Sequence, residues 1–330
     1  MKALVYTAPN QVVYRDEPEP SVGTGEVLLG IDAVGICGSD MHAYHGHDPR
    51  RVPPLILGHE LAATILEGPG KGQRVTVNPL ITCGRCDYCV QGRNNLCAHR
   101  AMIGMTRPGG FAERMAIPAS CLISIPQDMD PKRAALTEPA ATALHAVGMA
   151  MRALARPLPE ADVLVIGGGA IGLLCALLLR AYGCRDIRLA ETNRLRRASA
   201  GKTGAAQVFD PLATSIAENS ATLVVDAVGG KATREAALKA VTPGGVVMHI
   251  GLQDWASEID MRKLTLSEVS LIGTYTYSTA DLRAAVDALH RGVFGDLDWV
   301  EVRPLQDGPR AFAELDQGRA AAAKIVLSPH

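Results

Sequence analysis

Hydrophobic positions change their spacing near residue 140, which divides the chain into two patterns. Before that point the apolar residues form short runs, LVY, VLLGI, LAATIL, RVTV and CLISI, separated by Gly, Pro and Asp. Short runs bounded by such residues predict many short strands and therefore a β-rich domain. From about residue 162 the runs VLVIG, IRLA, TLVVDAV and GGVVMHIG alternate with Ala- and Leu-rich helical segments. That alternation predicts an α/β domain with a doubly wound parallel sheet.

The segment after residue 275 contains two helix candidates, DLRAAVDALHRG and PRAFAELDQG, followed by the apolar run AKIVLS. This closing strand has no evident partner within its own segment, so we expect it to return to the sheet of the first domain. The predicted division is therefore residues 1–139 with 276–330 as one domain, and residues 140–275 as an inserted parallel-sheet domain.

Size and charge restrict the partners of such a chain. Its 330 residues exceed what one core usually holds, which supports two domains. The 33 basic and 34 acidic residues give a formal net charge of −1 and no basic stripe for nucleic acid or an anionic membrane. The chain lacks a signal-peptide pattern and an apolar run of about 18 residues, so we expect a cytoplasmic protein with a small-molecule partner.

Four of the eight cysteines lie together in the segment 78–100, NPLITCGRCDYCVQGRNNLCAHR. Cys83, Cys86, Cys89 and Cys97 have the spacing C-x2-C-x2-C-x7-C, and two-residue gaps allow thiolates to converge on one tetrahedral ion at about 2.3 Å. Four sulfurs leave no open coordination position, so we predict a structural zinc. An iron–sulfur cluster, which also uses thiolates, is the chemical alternative.

A glycine-rich turn joins an apolar strand to an apolar helix in ADVLVIGGGAIGLLCALLLRAYG. In this turn Gly167 permits a tight bend, Gly169 allows a pyrophosphate to approach the backbone, and Gly172 allows the helix to pack closely on the strand. Ala170 and Ile171 lie between them, where the phosphates would meet the helix N-terminus. The strand before the glycines and the helix after them predict a Rossmann dinucleotide site.

An acidic residue follows this turn at the spacing expected for a ribose ligand. Glu191 lies 19 positions after Gly172, at the end of the strand IRLAE, where a carboxylate can bind the adenosine ribose hydroxyls. A 2′-phosphate would meet like charge there, so NAD is favoured over NADP. Arg194 follows closely enough to weaken this preference, and Arg196 is also assigned to the cofactor site.

Three further residues that can bind metal lie in two glycine-bounded turns. Cys37 occurs in GICGSDMH, and His59 and Glu60 are adjacent in LILGHELAA. A lone histidine or cysteine is usually structural, but three such residues at two strand ends indicate a second metal site.

The chain resembles the zinc-containing medium-chain dehydrogenases, in the branch of the sorbitol, threonine and galactitol-phosphate dehydrogenases. The resemblance covers nearly the whole chain through GICGSD, LGHE, the four-cysteine segment, GGFAE at 109–113, LTEPAATALHA at 136–146 and GGGAIG. It implies a GroES-like catalytic domain and a Rossmann domain with the active site in the cleft between them.

The resemblance also implies roles for individual residues. Cys37 and His59 would bind a catalytic zinc together with one of two carboxylates, Glu60 or Glu138 of TEPA. One thiolate and one carboxylate neutralise Zn²⁺, so we expect one glutamate to bind directly and the other through water or by exchange. Related polyol dehydrogenases use the residue after the histidine, which favours Glu60.

Four more residues match positions of the family near the reacting groups. Ser39 would take the proton of the substrate hydroxyl, and His42 would pass it towards solvent. Gly251 and Thr274 match positions that face the cofactor. These assignments predict two zinc ions and one NAD for each chain.

Three functions are compatible with this set of residues. The first is oxidation of a secondary alcohol of a polyol or sugar derivative, such as a hexitol or hexitol phosphate. The second is oxidation of an amino alcohol as in threonine 3-dehydrogenase, which needs an anion-binding group for the carboxylate, and no arginine stands in the motifs near the site. The third is a non-catalytic protein that binds zinc and NAD. The family resemblance further implies a homodimer or homotetramer.

Overall fold

The computed structural model describes residues 1–330 as eighteen strands and ten α-helices. The strands are β1 (Lys2–Ala8), β2 (Gln11–Asp16), β3 (Glu26–Gly35), β4 (Leu55–Ile56), β5 (Glu60–Glu67), β6 (Arg74–Val77), β7 (Leu80–Ile81), β8 (Ala101–Met102), β9 (Arg114–Pro118), β10 (Leu122–Ser124), β11 (Val163–Ile166), β12 (Ile187–Ala190), β13 (Gln207–Phe209), β14 (Ala221–Asp226), β15 (Val241–His249), β16 (Ser270–Gly273), β17 (Val300–Pro304) and β18 (Lys324–Ser328). The helices are α1 (Gly38–Tyr44), α2 (Asp87–Val90), α3 (Pro131–Ala135), α4 (Thr137–Ala153), α5 (Ala170–Ala181), α6 (Arg194–Lys202), α7 (Lys231–Ala240), α8 (Met261–Leu266), α9 (Thr279–His290) and α10 (Gly308–Asp316).

Strand β3 is the centre of the β-rich part of the chain. Its side chains alternate between half-exposed and buried over most of its length, as expected for a strand with one face on a core. It pairs antiparallel with β5, β9 and β18 within a seven-stranded sheet, in which six strands follow the order β10-β6-β5-β3-β18-β17 and β9 pairs with β3 outside this order. A small sheet of β2, β1 and β4 lies beside it, and Leu4, Leu29 and Phe111 are fully buried in the shared core.

The six strands of the other large sheet are all parallel. Their order is β13-β12-β11-β14-β15-β16. The first strand of the segment, β11, lies in the middle, and successive strands are added on one side of it as far as β13 and then on the other side from β14, which is the reversal in strand order. This is the Rossmann order, and it confirms the predicted doubly wound sheet. Ligands bind at the carboxyl ends of such strands beside the reversal, which here lies between β11 and β14.

The C-terminal segment contacts both the β-rich part of the chain and the parallel-sheet part. Strand β18 pairs antiparallel with β3, as expected for a closing strand that returns to the first sheet. The expectation that it has no partner in its own segment was wrong, because β17 pairs with it in parallel. The run WVEVRP that contains β17 carries charges at alternate positions, which hides the strand in a search for apolar runs. Helix α9 packs on α4. The hydrophobic core around α4 contains residues of both the β-rich sheet and the parallel sheet and so connects the two sheets.

None of the ten helices combines the length and the apolar character that a bilayer crossing requires.

Candidate active site

The candidate metal ligands Cys37, His59 and Glu60 form a cluster where β3 ends and its paired strand β5 begins. Gly35, the last residue of β3, pairs with Glu60, the first residue of β5. A Cβ atom on Gly35 would lie 2.2 Å from Glu60 Oε2, so only glycine permits this close approach. Cys37 caps α1 just after β3, and His59 immediately precedes β5. The strand pairing therefore brings the two glycine-bounded turns together.

The ligand atoms of these turns fit a metal ion. Cys37 Sγ, a ring nitrogen of His59 and a carboxylate oxygen of Glu60 all lie within 4.8 Å of one another. Behind the histidine, the fully buried Asp40 places Oδ1 3.5 Å from His59 Nδ1, and neither of these two atoms has a hydrogen-bond partner. Asp40 Oδ2 accepts the backbone N–H of Cys37 at 3.0 Å. A carboxylate behind a histidine fixes the ring orientation and tautomer that zinc requires.

The two glutamates beside this cluster have different partners. Both oxygens of Glu60 accept hydrogen bonds from the Lys324 ammonium at 2.7 Å, and this ammonium also donates to the Ile36 carbonyl at 2.8 Å. Although burial disfavours a charged lysine, the Glu60 carboxylate holds the pKa of Lys324 above its ordinary value. Glu138 Oε1 accepts from the Tyr277 hydroxyl at 2.8 Å, and burial raises the pKa of this carboxyl to about 7. Glu60 is thus a paired anion, whereas Glu138 has a neutral partner.

The four cysteines of the segment 78–100 also converge. Their sulfur atoms all lie within 4.8 Å of one another, with 3.5 Å between Cys86 and Cys89, 3.6 Å between Cys97 and Cys83, and 4.0 Å between Cys83 and Cys89. Four sulfurs bound to zinc at 2.3 Å in a tetrahedron are about 3.8 Å apart. The sulfur separations therefore fit a closed structural zinc site.

This cysteine segment is attached to the chain that follows β16. Asn95 Nδ2 donates to the Tyr275 carbonyl at 2.8 Å, and Asn94 Oδ1 accepts the backbone N–H of Thr279 at 3.1 Å. The Arg100 guanidinium lies over the Tyr275 ring, 4.9 Å from its centroid. The segment 78–100 thus holds one wall of the cleft described below.

The glycine turn has the geometry of a dinucleotide site. Gly167 follows β11 with φ of +101°, in the left-handed region that favours glycine. Gly169 caps α5, whose first residue is Ala170. A Cβ atom on Gly172 would lie 1.9 Å from the Gly167 carbonyl oxygen, so this position has room for glycine only. Gly167, Gly169 and Ile171 line the cleft, whereas Ala170 and Gly172 do not.

Glu191 lies at the end of β12 beside this turn. Its Oε2 accepts the backbone N–H of Gly168 at 2.8 Å, and its Oε1 accepts that of Asn193 at 2.7 Å. Arg196 Nε lies 3.5 Å from Oε2 and is a buried atom with no hydrogen-bond partner. Arg194 is exposed and does not line the cleft. The structure therefore brings Glu191 and Arg196 together and leaves Arg194 outside.

One cavity of about 520 Å³ joins the metal cluster to the glycine turn. Its walls include Cys37, His59 and Glu138 from one side, with Gly251 and Thr274 from the parallel sheet. Thr274 and Thr276 line this cavity, and their hydroxyl oxygens are buried without a hydrogen-bond partner. Glu60 does not line the cavity and lies behind the cluster.

Ser39 and His42 also face this cavity. Ser39 Oγ lies 3.5 Å from His59 Nε2 and accepts a hydrogen bond from Arg51 Nη2 at 3.2 Å. Burial, and then the charge of His47, lower the pKa of His42. The structure therefore brings Ser39 next to a candidate metal ligand and places both Ser39 and His42 on the cavity wall.

Five residues at this site were missed by the sequence analysis. Asp40 stood inside the quoted motif GICGSD, and Lys324 is the one charged residue in AKIVLS, so both had a local signal. Tyr277 had none. Arg50 and Arg51 line the cavity, which corrects the expectation that no arginine is available near the site.

Two family profiles match the chain. The alcohol dehydrogenase GroES-like domain matches residues 23–127, and the zinc-binding dehydrogenase domain matches residues 170–291. The chain belongs to the zinc-containing alcohol dehydrogenase family. The predicted family, the GroES-like and Rossmann fold and the zinc and nicotinamide cofactors are therefore confirmed for this alcohol dehydrogenase. It is a zinc-dependent alcohol oxidoreductase that acts on small molecules.

Relatives of this alcohol dehydrogenase act on different alcohols. It is 32% identical over 297 residues to L-galactonate-5-dehydrogenase of Escherichia coli K12, with 85% of each chain covered. It is 33% identical to L-threonine 3-dehydrogenase of Pyrococcus furiosus, with 81% of this chain and 80% of the relative covered. The crystal structure of an Escherichia coli CFT073 alcohol dehydrogenase (RspB) with NADH superimposes with a TM-score of 0.87 at 27% identity, covering 99% of both chains.

Proposed function

We propose that this alcohol dehydrogenase oxidises a secondary alcohol of a polyol or sugar derivative to the ketone, with NAD as the hydride acceptor. The observation that carries the proposal is the single cavity lined by Cys37, His59, Gly167 and Gly169. A metal at the cluster and a nicotinamide bound from the glycine turn would meet a substrate in the same space. The relative named for L-galactonate, a sugar derivative, supports this substrate class.

The catalytic zinc takes Cys37, His59 and Glu60 as ligands in this proposal. Glu60 is favoured because its oxygen lies within 4.8 Å of both other ligand atoms, and carboxylate oxygens retain lone pairs after accepting from Lys324. Glu138 faces the cavity and reaches the metal through water or by exchange. The structural zinc takes Cys83, Cys86, Cys89 and Cys97.

When bound, zinc would supply the Lewis acidity that lowers the pKa of a substrate hydroxyl, and NAD would supply the hydride acceptor. The chain itself has to move the proton. Ser39 accepts it beside the metal cluster, with its hydroxyl held by Arg51, and His42 passes it towards solvent. Because burial lowers its pKa, His42 is neutral near pH 7 and able to accept a proton.

Glu191 sets the choice of cofactor in this proposal. Replacing Glu191 with alanine removes the ligand of the ribose hydroxyls and the charge that opposes a 2′-phosphate. We expect the ratio of kcat/KM with NAD to kcat/KM with NADP to fall by about tenfold or more, since like-charge repulsion of about 1.4 kcal/mol corresponds to that factor. The matched control is Arg194→Ala, an exposed position outside the cleft, which should leave the ratio unchanged. An unchanged ratio in Glu191→Ala would contradict the assignment.

The threonine reaction is a weaker candidate. An amino acid substrate needs an acidic partner for its ammonium group, and the acidic residues that line the cavity are Glu138 and Glu191. Glu138 belongs to the metal site, and Glu191 lies at the adenosine end. The non-catalytic alternative is disfavoured by the family assignment and by the complete set Cys37, Ser39, His42, His59 and Glu138.

Initial rates with a panel of hexitols, hexitol phosphates, hexonates and threonine test the proposed function, with formation of NADH followed by absorbance. We expect turnover of polyhydroxylated substrates and little turnover of threonine. Activity confined to threonine would replace the proposal with the amino-alcohol reaction. Bound zinc and NAD without turnover of any alcohol would favour a non-catalytic protein.

The parallel sheet carries a surface suited to a second copy of this chain. Strand β16 is an edge strand, and large apolar side chains around it are exposed, among them Trp255 at 88% and Leu266 at 73%. We infer a homodimer or homotetramer, and light scattering would give a multiple of the chain mass of 34.8 kDa. A cytoplasmic location agrees with eight cysteines that form no disulfide with one another.

A further inference from the structure

Two arginines of one loop reach the cavity from the segment between α1 and β4. Arg50 and Arg51 line the same cavity as Cys37 and His59. Arg51 is buried, and its donors go to the carbonyls of Gly104 and Ser39 and to the Ser39 hydroxyl. These acceptors are uncharged, and the carboxylates that oppose the charge of Arg51 are Asp48 and the buried Asp40.

A single carboxylate serves both arginines. Asp48 accepts from Arg50 through two parallel hydrogen bonds, Nε at 2.8 Å and Nη2 at 2.9 Å, and lies 3.5 Å from Arg51 Nη1. Asp48 is thus the carboxylate in direct contact with both guanidinium groups, and two of the three nitrogens of Arg50 are used on it. Arg50 Nη1 makes no hydrogen bond within the chain, and the Arg50 side chain is 60% exposed. The group with a free donor is therefore also the group that a ligand can reach.

Arg50 lies on the side of the cavity opposite to the glycine turn, where the cofactor phosphates are expected to bind. The glycine turn binds phosphate through the N-terminus of α5, and Glu191 with Arg196 form the adenosine end, all on the parallel-sheet side. Arg50 belongs to the β-rich side that also carries the metal cluster, and Tyr275, which lines the same cavity, is close enough to interact with its charge. An anion at Arg50 therefore belongs to the substrate end of the cavity.

We propose that Arg50 binds a carboxylate of the substrate, so that the enzyme acts on polyhydroxylated carboxylates rather than on uncharged polyols. This inference rests on the proposed function and specifies its substrate class. The hydroxyl to be oxidised lies at the metal cluster, and the carboxylate lies against the free edge of the Arg50 guanidinium. Arg51 holds Ser39 in place. A charge-assisted hydrogen bond of this kind adds both affinity and orientation.

Matched pairs of substrates test the proposal. Each hexonate is paired with the hexitol that has a hydroxymethyl group in place of the carboxylate, and kcat/KM is measured for wild type, Arg50→Gln and Arg50→Lys. We expect wild type to favour the hexonate by about tenfold or more, and Arg50→Gln to lower kcat/KM for the hexonate by about 10- to 100-fold with little change for the hexitol. Arg50→Lys keeps the charge and should recover part of the loss. Arg156→Gln, an exposed arginine outside the cavity, is the control for net charge.

Three results would overturn the proposal. The first is an equal loss of kcat/KM for hexonate and hexitol in Arg50→Gln. The second is a parallel rise in KM for NAD, which would place Arg50 at the cofactor phosphates. The third is a wild-type enzyme with equal kcat/KM for the hexonate and the hexitol. Calorimetric binding of hexonates to the enzyme with NADH separates this proposal from the proposed function. Binding that Arg50→Gln weakens supports the anion site even where no turnover occurs, and binding that Arg50→Gln leaves unchanged contradicts it.

Discussion

Replacing Cys37 with serine is expected to lower kcat/KM by at least about 10³-fold, because the metal supplies several kcal/mol of charge stabilisation to alcohol oxidation. The same change should remove one of two zinc ions per chain. Cys37 is only partly buried and caps a helix of seven residues, so the fold should survive its loss. Metal content by emission spectrometry, activity and the thermal midpoint, measured on the same sample, check these three expectations.

Two cysteine variants make this result specific. Cys184→Ala removes a buried thiol from the parallel-sheet domain, away from both clusters, and should retain two zinc ions and full activity. Cys83→Ser should remove the other zinc and lower the thermal midpoint, because the segment 78–100 then loses the ion that shapes it. A Cys37→Ser protein that keeps both zinc ions and its activity would refute the catalytic metal site.

In the metal-free protein, replacing Lys324 with methionine is expected to destabilise the fold by about 3–5 kcal/mol, because Glu60, with neither Lys324 nor a metal beside it, is then a buried carboxylate without a partner. The thermal midpoint should fall by roughly 10 °C. The double variant Glu60→Gln with Lys324→Met leaves no unpaired charge and should regain much of the loss. This recovery measures the coupling of the two residues.

An exposed ion pair provides the control for Lys324. Lys231 and Glu235 are 4.0 Å apart on the surface of α7, where ion pairs contribute little to stability, so Lys231→Met should leave the midpoint unchanged. Equal midpoints for wild type and Lys324→Met would contradict the role of the buried pair. Retention of the full zinc content in Lys324→Met would show that Lys324 supports the fold and not the metal site.

The sequence was informative wherever the relevant groups are close together along the chain. The Rossmann turn is a strand, three glycines and a helix in succession, and the cysteine ligands lie within 15 residues, so spacing alone indicates both sites. Cys37 and His59 were recognisable because glycine-bounded turns in this family carry them. The structure adds that strand pairing between Gly35 and Glu60 brings these turns together.

Partners that are remote in sequence gave no such signal. Glu60 meets Lys324 across 264 positions, and Tyr277 meets Glu138 across 139. Each contact depends on a pairing of strands or a packing of helices that local patterns do not specify. Arg50 and Arg51 were overlooked for another reason, because two arginines in a loop are ordinarily solvated side chains. Their importance follows from sharing one aspartate at a cavity wall.

The ion pair between Glu60 and Lys324 joins an early part of the chain to its last strand, so it can form only late in folding during translation. During translation the strands around β3 leave the ribosome long before β18. Glu60 therefore has no contact with Lys324 while the parallel-sheet domain is being translated. Until β18 pairs with β3, Glu60 therefore lacks the ammonium that neutralises it, and the charge balance at the metal cluster is completed only by the last strand of the chain.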